Sequence, residues 1–281
     1  EKIQDYVGGQ FWDGRAKNLA EQAGGPPINP VEMGMPDKLS VAKRIFNTPM
    51  YLTLFTQHYG KETWESVDRV YSAMEDALAV FQQEKRLLHP FDAKYDKSLQ
   101  GKYAMTAQEE RGKQLFFDNT KTNCSNCHQA QDAEHKEETF TNYRYYNMGV
   151  PKNQRLIAHN QLSQDFIDNG LLDNPMVNGD QRQKGKFKVP TLRNIAVTAP
   201  YMHNGVFKHL RTVLEYFDHF NNPARKLNPE TQQPWEAPEY AATMNLEELK
   251  APPLSDEQLD DLEAFLKTLT DERYETLLKQ Q

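Results

Sequence analysis

The chain has 281 residues, of which 38% are hydrophobic and 11% aromatic, so it can form one large domain or two of ordinary size. Its 40 acidic and 33 basic residues give a net charge of −7, which argues against nucleic acid as a partner. No apolar run approaches the roughly 18 residues that a membrane helix needs, so no membrane span is predicted.

The sequence between residues 37 and 83 predicts three helices. Asp37 is an N-cap for the apolar-periodic stretch "KLSVAKRIF", and Pro49 starts a second helix that Gly60 ends. The third helix covers "ESVDRVYSAMEDALAVFQQ", residues 65–83. Its apolar stripe comprises Val67, Val70, Tyr71, Met74, Leu78 and Phe81.

The polar stretch "KRLLHPFDAKYDKSLQG" follows these helices and predicts a domain boundary near residue 100. We therefore expect one domain over residues 1–100 and a second over residues 101–281. Residues 131–190 are polar and poorly periodic, which is typical of loops with short helices. Strand signals are nearly absent, so the expected fold class is all-α.

Two strong helices bracket the second domain. Thr106 and Glu109 form a capping box for "AQEERGKQLFF", and Ser255 and Gln258 form another for the last apolar stretch of the chain. Gly112 lies in the first of these helices, where a helix crossing would need close backbone approach.

Residues 124–128 read Cys-Ser-Asn-Cys-His and contain both cysteines of the chain. A redox dithiol would follow a buried strand, but helical and then polar residues precede Cys124. A structural zinc site needs four ligands, and no second cysteine pair or suitably spaced histidine pair follows the motif. In c-type haem attachment, Cys124 and Cys127 would bind the vinyl groups and His128 the iron. The sequence therefore predicts covalent haem c in a cytochrome c arrangement, with the first and last helices of the domain crossing.

No signal peptide is visible in the opening residues "EKIQDYVGGQ". Covalent attachment of haem c takes place outside the cytoplasm, so we expect a mature or truncated periplasmic chain. Because both cysteines are committed to haem, no disulfide is available, and packing and the haem must stabilise the fold.

Two long stretches resemble the bacterial dihaem cytochrome c peroxidases and their MauG-type relatives. They are "QFWDGRAKNLAEQAGGPPINPVEMGMP" (10–36) and "FKVPTLRNIAVTAPYMHNGVFKHL" (187–210), each at the family's spacing from Cys124. The resemblance implies an all-helical protein with one c-type haem in each of two domains. It also implies that the second haem receives electrons and the first reduces hydrogen peroxide. MauG-type members instead use high-valent iron to oxidise residues of a partner protein.

The sequence departs from the family pattern at its beginning. In the family, the first Cys-x-x-Cys-His lies about a domain's length ahead of the Phe-Trp-Asp-Gly-Arg stretch, which here begins at Phe11. We expect the segment that binds the first haem to be a separate or absent piece, because residues 10–36 would otherwise have no haem pocket to line. A protein with a single haem is the alternative.

The resemblance assigns a peroxidatic pocket to the first domain. Glu32 is implied as the acid-base group that moves a proton during O–O cleavage, and its apolar neighbours predict a desolvated carboxylate. Gln22 and Pro26 are implied as pocket residues. Trp12 matches the family tryptophan that lies between the two haems, with a core aromatic as the alternative interpretation.

The ligand opposite His128 is open between three residues. Spacing alone favours Met202 in "APYMHNG", since a thioether opposite histidine is a common ligand pair of haem iron. The resemblance places the ligand, Met in the peroxidases and Tyr in the MauG type, at Phe217, which cannot bind iron. Tyr216 is then the first choice after a one-residue shift, ahead of His219 and Met202, and an unligated sixth position is the remaining alternative.

Two further contacts follow from the resemblance. Thr198 and Pro200 are similar to family residues whose backbone carbonyls bind calcium. Arg193 is a candidate for a haem propionate contact, with a core-facing hydrogen-bonding role as the alternative.

The sequence thus predicts the C-terminal part of a periplasmic dihaem peroxidase that takes electrons from a small donor, a cytochrome c or a cupredoxin. MauG-like oxidation of a protein or peptide partner is the alternative within the family, favoured by a Tyr216 ligand. A monohaem electron-transfer protein is the alternative from another class, favoured by the single haem motif. A second copy of the chain is a further candidate partner.

Overall fold

The computed structural model describes residues 6–88, 90–130 and 138–280, which fall into two compact units. The N-terminal unit is Gly9–Pro90, and the C-terminal unit combines the described parts of Glu1–Gly8 and Phe91–Gln281. Helices dominate both units, and the strands are two residues long, so the predicted all-α class is confirmed. Within the described ranges, every helix is too short or too polar to traverse a bilayer.

The N-terminal unit is built from helices whose ends match the sequence signals. Their bounds are α1 Leu19–Ala23, α2 Lys38–Phe46, α3 Pro49–Tyr59, α4 Val67–Gln82 and α5 Lys85–Leu88, with 3-10 turns at Pro26–Ile28 and Lys61–Glu65. The Asp37 carboxylate accepts a hydrogen bond from the Ser40 amide at 2.7 Å, and Gly60 ends α3 with a φ of +83°. The three helices predicted here are therefore confirmed as α2, α3 and α4.

The core of the N-terminal unit lies between α2 and α4. Its buried residues are Val41, Ala42, Ile45, Val70 and Tyr71. The stripe predicted on α4 also included Leu78 and Phe81, but these side chains are 39% and 53% exposed. On α4 the cluster extends only from Val67 to Met74, so the last turns of the helix lack apolar partners within it.

The C-terminal unit has helices joined by long irregular segments. The helices are α6 Lys94–Leu99, α7 Ala107–Phe117, α8 Cys124–Cys127, α9 Gln154–His159, α10 Leu210–His219 and α11 Asp256–Lys267. Two antiparallel strand pairs are β1 Tyr145–Tyr146 with β2 Phe187–Lys188, and β3 Leu227–Asn228 with β4 Gln233–Pro234. The 3-10 turns are Leu171–Asp173, Pro175–Val177, Gln181–Gln183, Ile195–Val197 and Glu272–Gln280. Residues 138–190 match the predicted irregular region, and residues 131–137 lie outside the described part.

Helices α7 and α11 cross at Gly112. A Cβ atom on Gly112 would lie 1.8 Å from the Asp261 carbonyl oxygen, so any side chain there would force the helices apart. The neighbouring Arg111 donates two hydrogen bonds of 2.8 Å to the Asp261 carboxylate. Both predicted capping boxes are present, at Thr106 and at Ser255. The predicted crossing of these two helices is therefore confirmed.

An aromatic core holds the C-terminal unit together. The rings of Phe116 in α7 and Phe265 in α11 have centroids 5.2 Å apart, and Phe140 from the loop after α8 is fully buried beside them. Tyr216 of α10 belongs to the same cluster, and Cys124 of α8 packs against it. The turn with the haem motif is therefore attached to the core through its first cysteine.

The compact units divide after Pro90, whereas the sequence pointed to a boundary near residue 100. Helix α6 accounts for the difference, because Tyr95 is 3% exposed within the C-terminal core. Its neighbour Asp96 accepts two hydrogen bonds from Arg193, at 2.7 and 2.9 Å. These two side chains place the second half of the polar stretch in the C-terminal compact unit, and the functional domain boundary near residue 100 stays a prediction.

Candidate functional site

Helix α8 presents the two cysteines of the predicted haem motif. Cys124 and Cys127 are three residues apart, so their side chains lie on one face of a helical turn. Both are free thiols and half-buried. Burial raises the pKa of Cys124, and burial together with the nearby Glu248 carboxylate raises the pKa of Cys127 to about 11. Both thiols are therefore protonated near pH 7.

His128 follows α8, and its two ring nitrogens have different roles. The Phe140 carbonyl oxygen lies 3.1 Å from Nδ1. Because a carbonyl oxygen can only accept, Nδ1 carries the hydrogen and Nε2 carries the lone pair. Burial lowers the pKa of His128 to about 4, against opposing hydrogen bonds with the backbone of Phe140 and Pro190. The ring is therefore neutral near pH 7, which is the form that binds a metal through Nε2.

Two residues beside the haem motif were not anticipated from the sequence. The Asn142 backbone amide donates to the Cys127 carbonyl at 2.8 Å, and its side-chain amide donates to the Tyr146 hydroxyl at 3.1 Å. The Tyr146 hydroxyl lowers the pKa of the Cys127 thiol, against the larger effect of burial. These residues reach Cys127 from β1 and the loop before it, so no local spacing rule reveals them. The tyrosine-rich run "YRYY" was the only sequence signal.

The three candidate sixth ligands lie in the C-terminal unit. Tyr216 is 1% exposed, and its hydroxyl donates to the Met148 carbonyl at 3.0 Å. Phe217 is 36% exposed, so α10 turns Tyr216 inward and Phe217 outward. His219 is half-buried with Nδ1 against the Tyr216 carbonyl, and Met202 packs half-buried against the aromatic core.

This inward orientation is what a one-residue shift of the ligand position to Tyr216 requires. Burial raises the pKa of Tyr216, so the phenol stays neutral unless a cation adjoins it. Burial also lowers the pKa of His219. Orientation therefore favours Tyr216, and the identity of the ligand remains a proposal.

Arg193 has protein partners for its guanidinium group. Nε donates to the Glu138 carbonyl at 2.8 Å, and the two terminal nitrogens donate to the Asp96 carboxylate. The guanidinium group of Arg193 therefore has a core-facing hydrogen-bonding role, which was the alternative to a contact with a haem propionate.

The predicted calcium segment lies at the surface. Thr198 is exposed, and its hydroxyl donates to the Ile195 carbonyl at 3.3 Å. In the described ranges, no three His, Cys, Asp or Glu side chains cluster as metal ligands would. Calcium at the carbonyls of Thr198 and Pro200 therefore remains a proposal that rests on the resemblance.

The N-terminal unit places three of the predicted peroxidatic residues on neighbouring segments. Gln22 lies in α1, and Pro26 starts the 3-10 turn that follows it. The Pro26 carbonyl accepts a hydrogen bond from the Met33 amide at 3.3 Å, which brings the loop with Glu32 back to the turn. Glu32 is exposed and accepts a hydrogen bond from the Asn29 side chain at 3.2 Å.

The desolvated setting expected for Glu32 is not found in the described residues of this unit. The adjacent Val31 and Met33 are 79% and 68% exposed, because backbone hydrogen bonds to Asn29 hold the loop in a tight turn that buries neither side chain. Trp12 is 41% exposed, which differs from the core aromatic that was its alternative interpretation.

The geometry fits covalent haem. Two thiols on one helical face and a neutral imidazole whose Nδ1 pairs with a backbone carbonyl are the groups that haem c requires. Together with the crossed helices α7 and α11, this arrangement defines a c-type cytochrome domain.

Comparison with known proteins extends this assignment to most of the chain. The profile of the family described as di-haem cytochrome c peroxidase matches residues 3–104, and the cytochrome c profile matches residues 109–270. Methylamine utilization protein MauG of Paracoccus denitrificans is 45% identical over 279 residues, covering 98% of this chain and 71% of MauG. The chain belongs to the di-haem cytochrome c peroxidase and MauG family, as the sequence predicted.

A second sequence relative and a solved structure support the same family assignment. Cytochrome c peroxidase Ccp of Escherichia coli is 35% identical over 202 residues, covering 70% of this chain. The crystal structure of the diheme peroxidase BthA from Burkholderia thailandensis has a TM-score of 0.81 at 30% identity, covering 96% of this chain and 67% of that one. The chain spans only 37% of the length of the Escherichia coli peroxidase. The family is one of haem peroxidases, which are oxidoreductases.

Proposed function

We propose that this chain is part of a di-haem enzyme that reduces hydrogen peroxide with electrons from a small redox protein, a cytochrome c or a cupredoxin. The observation that carries the proposal is the carbonyl-anchored, neutral His128 beside two thiols in a chain of this family. When bound, haem c supplies the redox-active iron. Cys124 and Cys127 would hold it covalently, and His128 would bind the iron through Nε2.

The residues of the N-terminal unit have the proton and pocket roles in this proposal. Glu32 takes a proton from one peroxide oxygen and delivers it to the other as the O–O bond breaks. Gln22 and Pro26 would line the peroxide pocket, and Trp12 would assist electron transfer between the two haems. Each peroxide consumes two electrons from the donor protein and two protons, and leaves as two water molecules.

Three further features belong to the same proposal. A second haem c is held by a segment outside this chain, calcium binds the carbonyls of Thr198 and Pro200, and the protein is periplasmic. Support comes from the family, whose description names two haems, and from covalent haem attachment, which takes place outside the cytoplasm. We also propose two functional domains, the remainder of a peroxidatic domain over residues 1–100 and an electron-transfer haem domain over residues 101–281, and a homodimer as a candidate assembly.

The test combines haem counting with an activity assay on the purified native protein. Intact mass with a haem stain is expected to show covalent haem, and peroxide is expected to be consumed in proportion to oxidation of a reduced cytochrome c. A protein with one haem and no peroxide turnover would instead be a monohaem electron carrier.

MauG-like oxidation of a protein partner is the second candidate function. Two observations favour it: the 45% identity with MauG, and the buried, inward-facing Tyr216. A phenolate ligand carries negative charge, so it stabilises ferric iron and lowers the haem potential. Under this function, peroxide is consumed only slowly with reduced cytochrome c, and a protein substrate is oxidised instead.

Tyr216→Phe is expected to change the low-temperature resonance spectrum of the ferric protein and to raise the haem potential. The physical reason is the loss of a charged oxygen ligand while the ring packing is kept. His219→Ala and Met202→Leu serve as controls and are expected to keep the native spectrum. If Tyr216→Phe keeps it and a control loses it, the ligand is the residue replaced in that control.

A further inference from the structure

The Phe140 carbonyl, which accepts the hydrogen bond from His128, belongs to a residue with an uncommon backbone conformation. Phe140 has a φ of +55°, a left-handed conformation that is uncommon for a residue other than glycine. Its ring is fully buried in the aromatic core, 5.2 Å from Tyr95 and 5.9 Å from Phe116. A residue other than glycine keeps a left-handed conformation only where its surroundings stabilise it, so groups around Phe140 must hold this peptide in place.

Hydrogen bonds between residues 138–141 and residues 189–193 provide this stabilisation. The Thr141 hydroxyl donates to the Val189 carbonyl at 2.7 Å, and the Thr191 hydroxyl donates to the Thr139 carbonyl at 2.6 Å. Arg193 Nε donates to the Glu138 carbonyl at 2.8 Å. Each side chain ties a backbone carbonyl of one segment to the other, so residues 138–141 are held on both sides of Phe140.

Arg193 is itself fixed. Its two terminal nitrogens donate to the Asp96 carboxylate at 2.7 and 2.9 Å, and Asp96 also accepts from the Ala93 amide at 3.0 Å. The side chains of Arg193 and Asp96 are only 10% and 9% exposed. A bidentate ion pair in this setting has one geometry, which makes Arg193 a rigid anchor for residues 138–141.

We propose that Thr141, Thr191 and Arg193 are positioning residues that aim the Phe140 carbonyl at Nδ1 of His128 and so set the redox potential of the haem. This inference rests on the proposed binding of haem at His128. It gives Arg193 a role through His128, which differs from the propionate contact that the family resemblance suggested.

The direction of the effect follows from the hydrogen bond. Donation from Nδ1–H to the carbonyl increases electron density on Nε2 and makes His128 a stronger donor to iron. A stronger donor favours ferric over ferrous iron, so the intact support lowers the potential. Loosening residues 138–141 lengthens or misaligns the bond and shifts the equilibrium toward ferrous iron.

The test compares two substitutions at one buried residue in the haem-loaded protein. Thr141 is 4% exposed, and Thr141→Val keeps its shape while removing the hydroxyl. The expected result is a three- to tenfold shift of the one-electron equilibrium toward ferrous iron, a rise of up to about 59 mV in a redox titration. Thr141→Ser keeps the hydroxyl and is expected to restore the wild-type potential.

A second control separates positioning from stability. Thr268 is 1% exposed, and its hydroxyl donates to the Phe265 carbonyl at 2.6 Å, a bond that involves none of residues 138–141. Thr268→Val removes a comparable buried hydrogen bond, so it is expected to lower the melting temperature and leave the potential unchanged. Thr191→Val, at an exposed site, is expected to raise the potential and decides the test if Thr141→Val does not fold.

Two outcomes would overturn the inference. One is a wild-type potential in a folded Thr141→Val or, where that variant does not fold, in Thr191→Val. The other is an equal shift in Thr268→Val, which would mean that the potential follows stability alone. Either result would leave the haem attached and the proposed function intact. Absence of covalent haem from the wild-type protein would instead refute the proposed function.

Discussion

Replacing both Cys124 and Cys127 by serine is expected to give protein without covalent haem at His128 and with a largely unfolded C-terminal unit. A serine hydroxyl forms no thioether, so both covalent links are lost. Cys124 packs against the aromatic core, so the haem proposed there would lie against that core and support it. In wild-type protein, colour and haem mass are expected to stay with the polypeptide after acid–acetone extraction, and the double variant is expected to lose the colour and mass of the haem at His128.

A matched control is available on the same helical turn. Ser125 lies between the two cysteines, and its hydroxyl donates to the Asn119 side chain at 2.8 Å. Ser125→Ala perturbs the turn without removing a thiol, so it is expected to retain full haem and near-native circular dichroism. A double-cysteine variant that is colourless yet folded would show that the haem is not part of the core.

The features predicted correctly from the sequence share a local or strictly geometric cause. The capping boxes depend on residues three positions apart, and the Cys-x-x-Cys-His spacing places its groups on one helical turn. Gly112 is a tertiary feature, but only glycine allows an approach of 1.8 Å between a Cβ position and a carbonyl oxygen. The presence of glycine at this position was therefore enough to predict the helix crossing.

What was missed depends on contacts between distant segments. Tyr95 and Asp96 lie in a polar stretch, and only their partners across the fold show that α6 belongs to the C-terminal unit. The bond between His128 and Phe140 involves a backbone carbonyl, which every residue type supplies, so no sequence pattern marks it. Glu32 was expected to be desolvated because of its apolar sequence neighbours, yet those neighbours are exposed.

Glu32→Gln is expected to lower peroxide turnover by a factor of about 10²–10⁴ in the enzyme that carries both haems. Glutamine keeps the size of the side chain and an oxygen that can accept the 3.2 Å hydrogen bond from Asn29, but it cannot take up and release a proton. Resting spectra and haem content are therefore expected to stay unchanged, since nothing that binds haem is altered. The measurement is steady-state peroxide consumption with a reduced cytochrome c.

Glu65→Gln is the matched control for this substitution. Glu65 is an exposed carboxylate of the same unit, and its surface ion pair with Arg69, at 2.8 Å, contributes little to stability. Its replacement removes the same charge from the protein but no proposed proton carrier, so turnover should stay within a few-fold of wild type. If Glu32→Gln behaves like Glu65→Gln, the exposed position of Glu32 reflects an ordinary loop carboxylate, and the proton carrier of the proposed reaction must be another group.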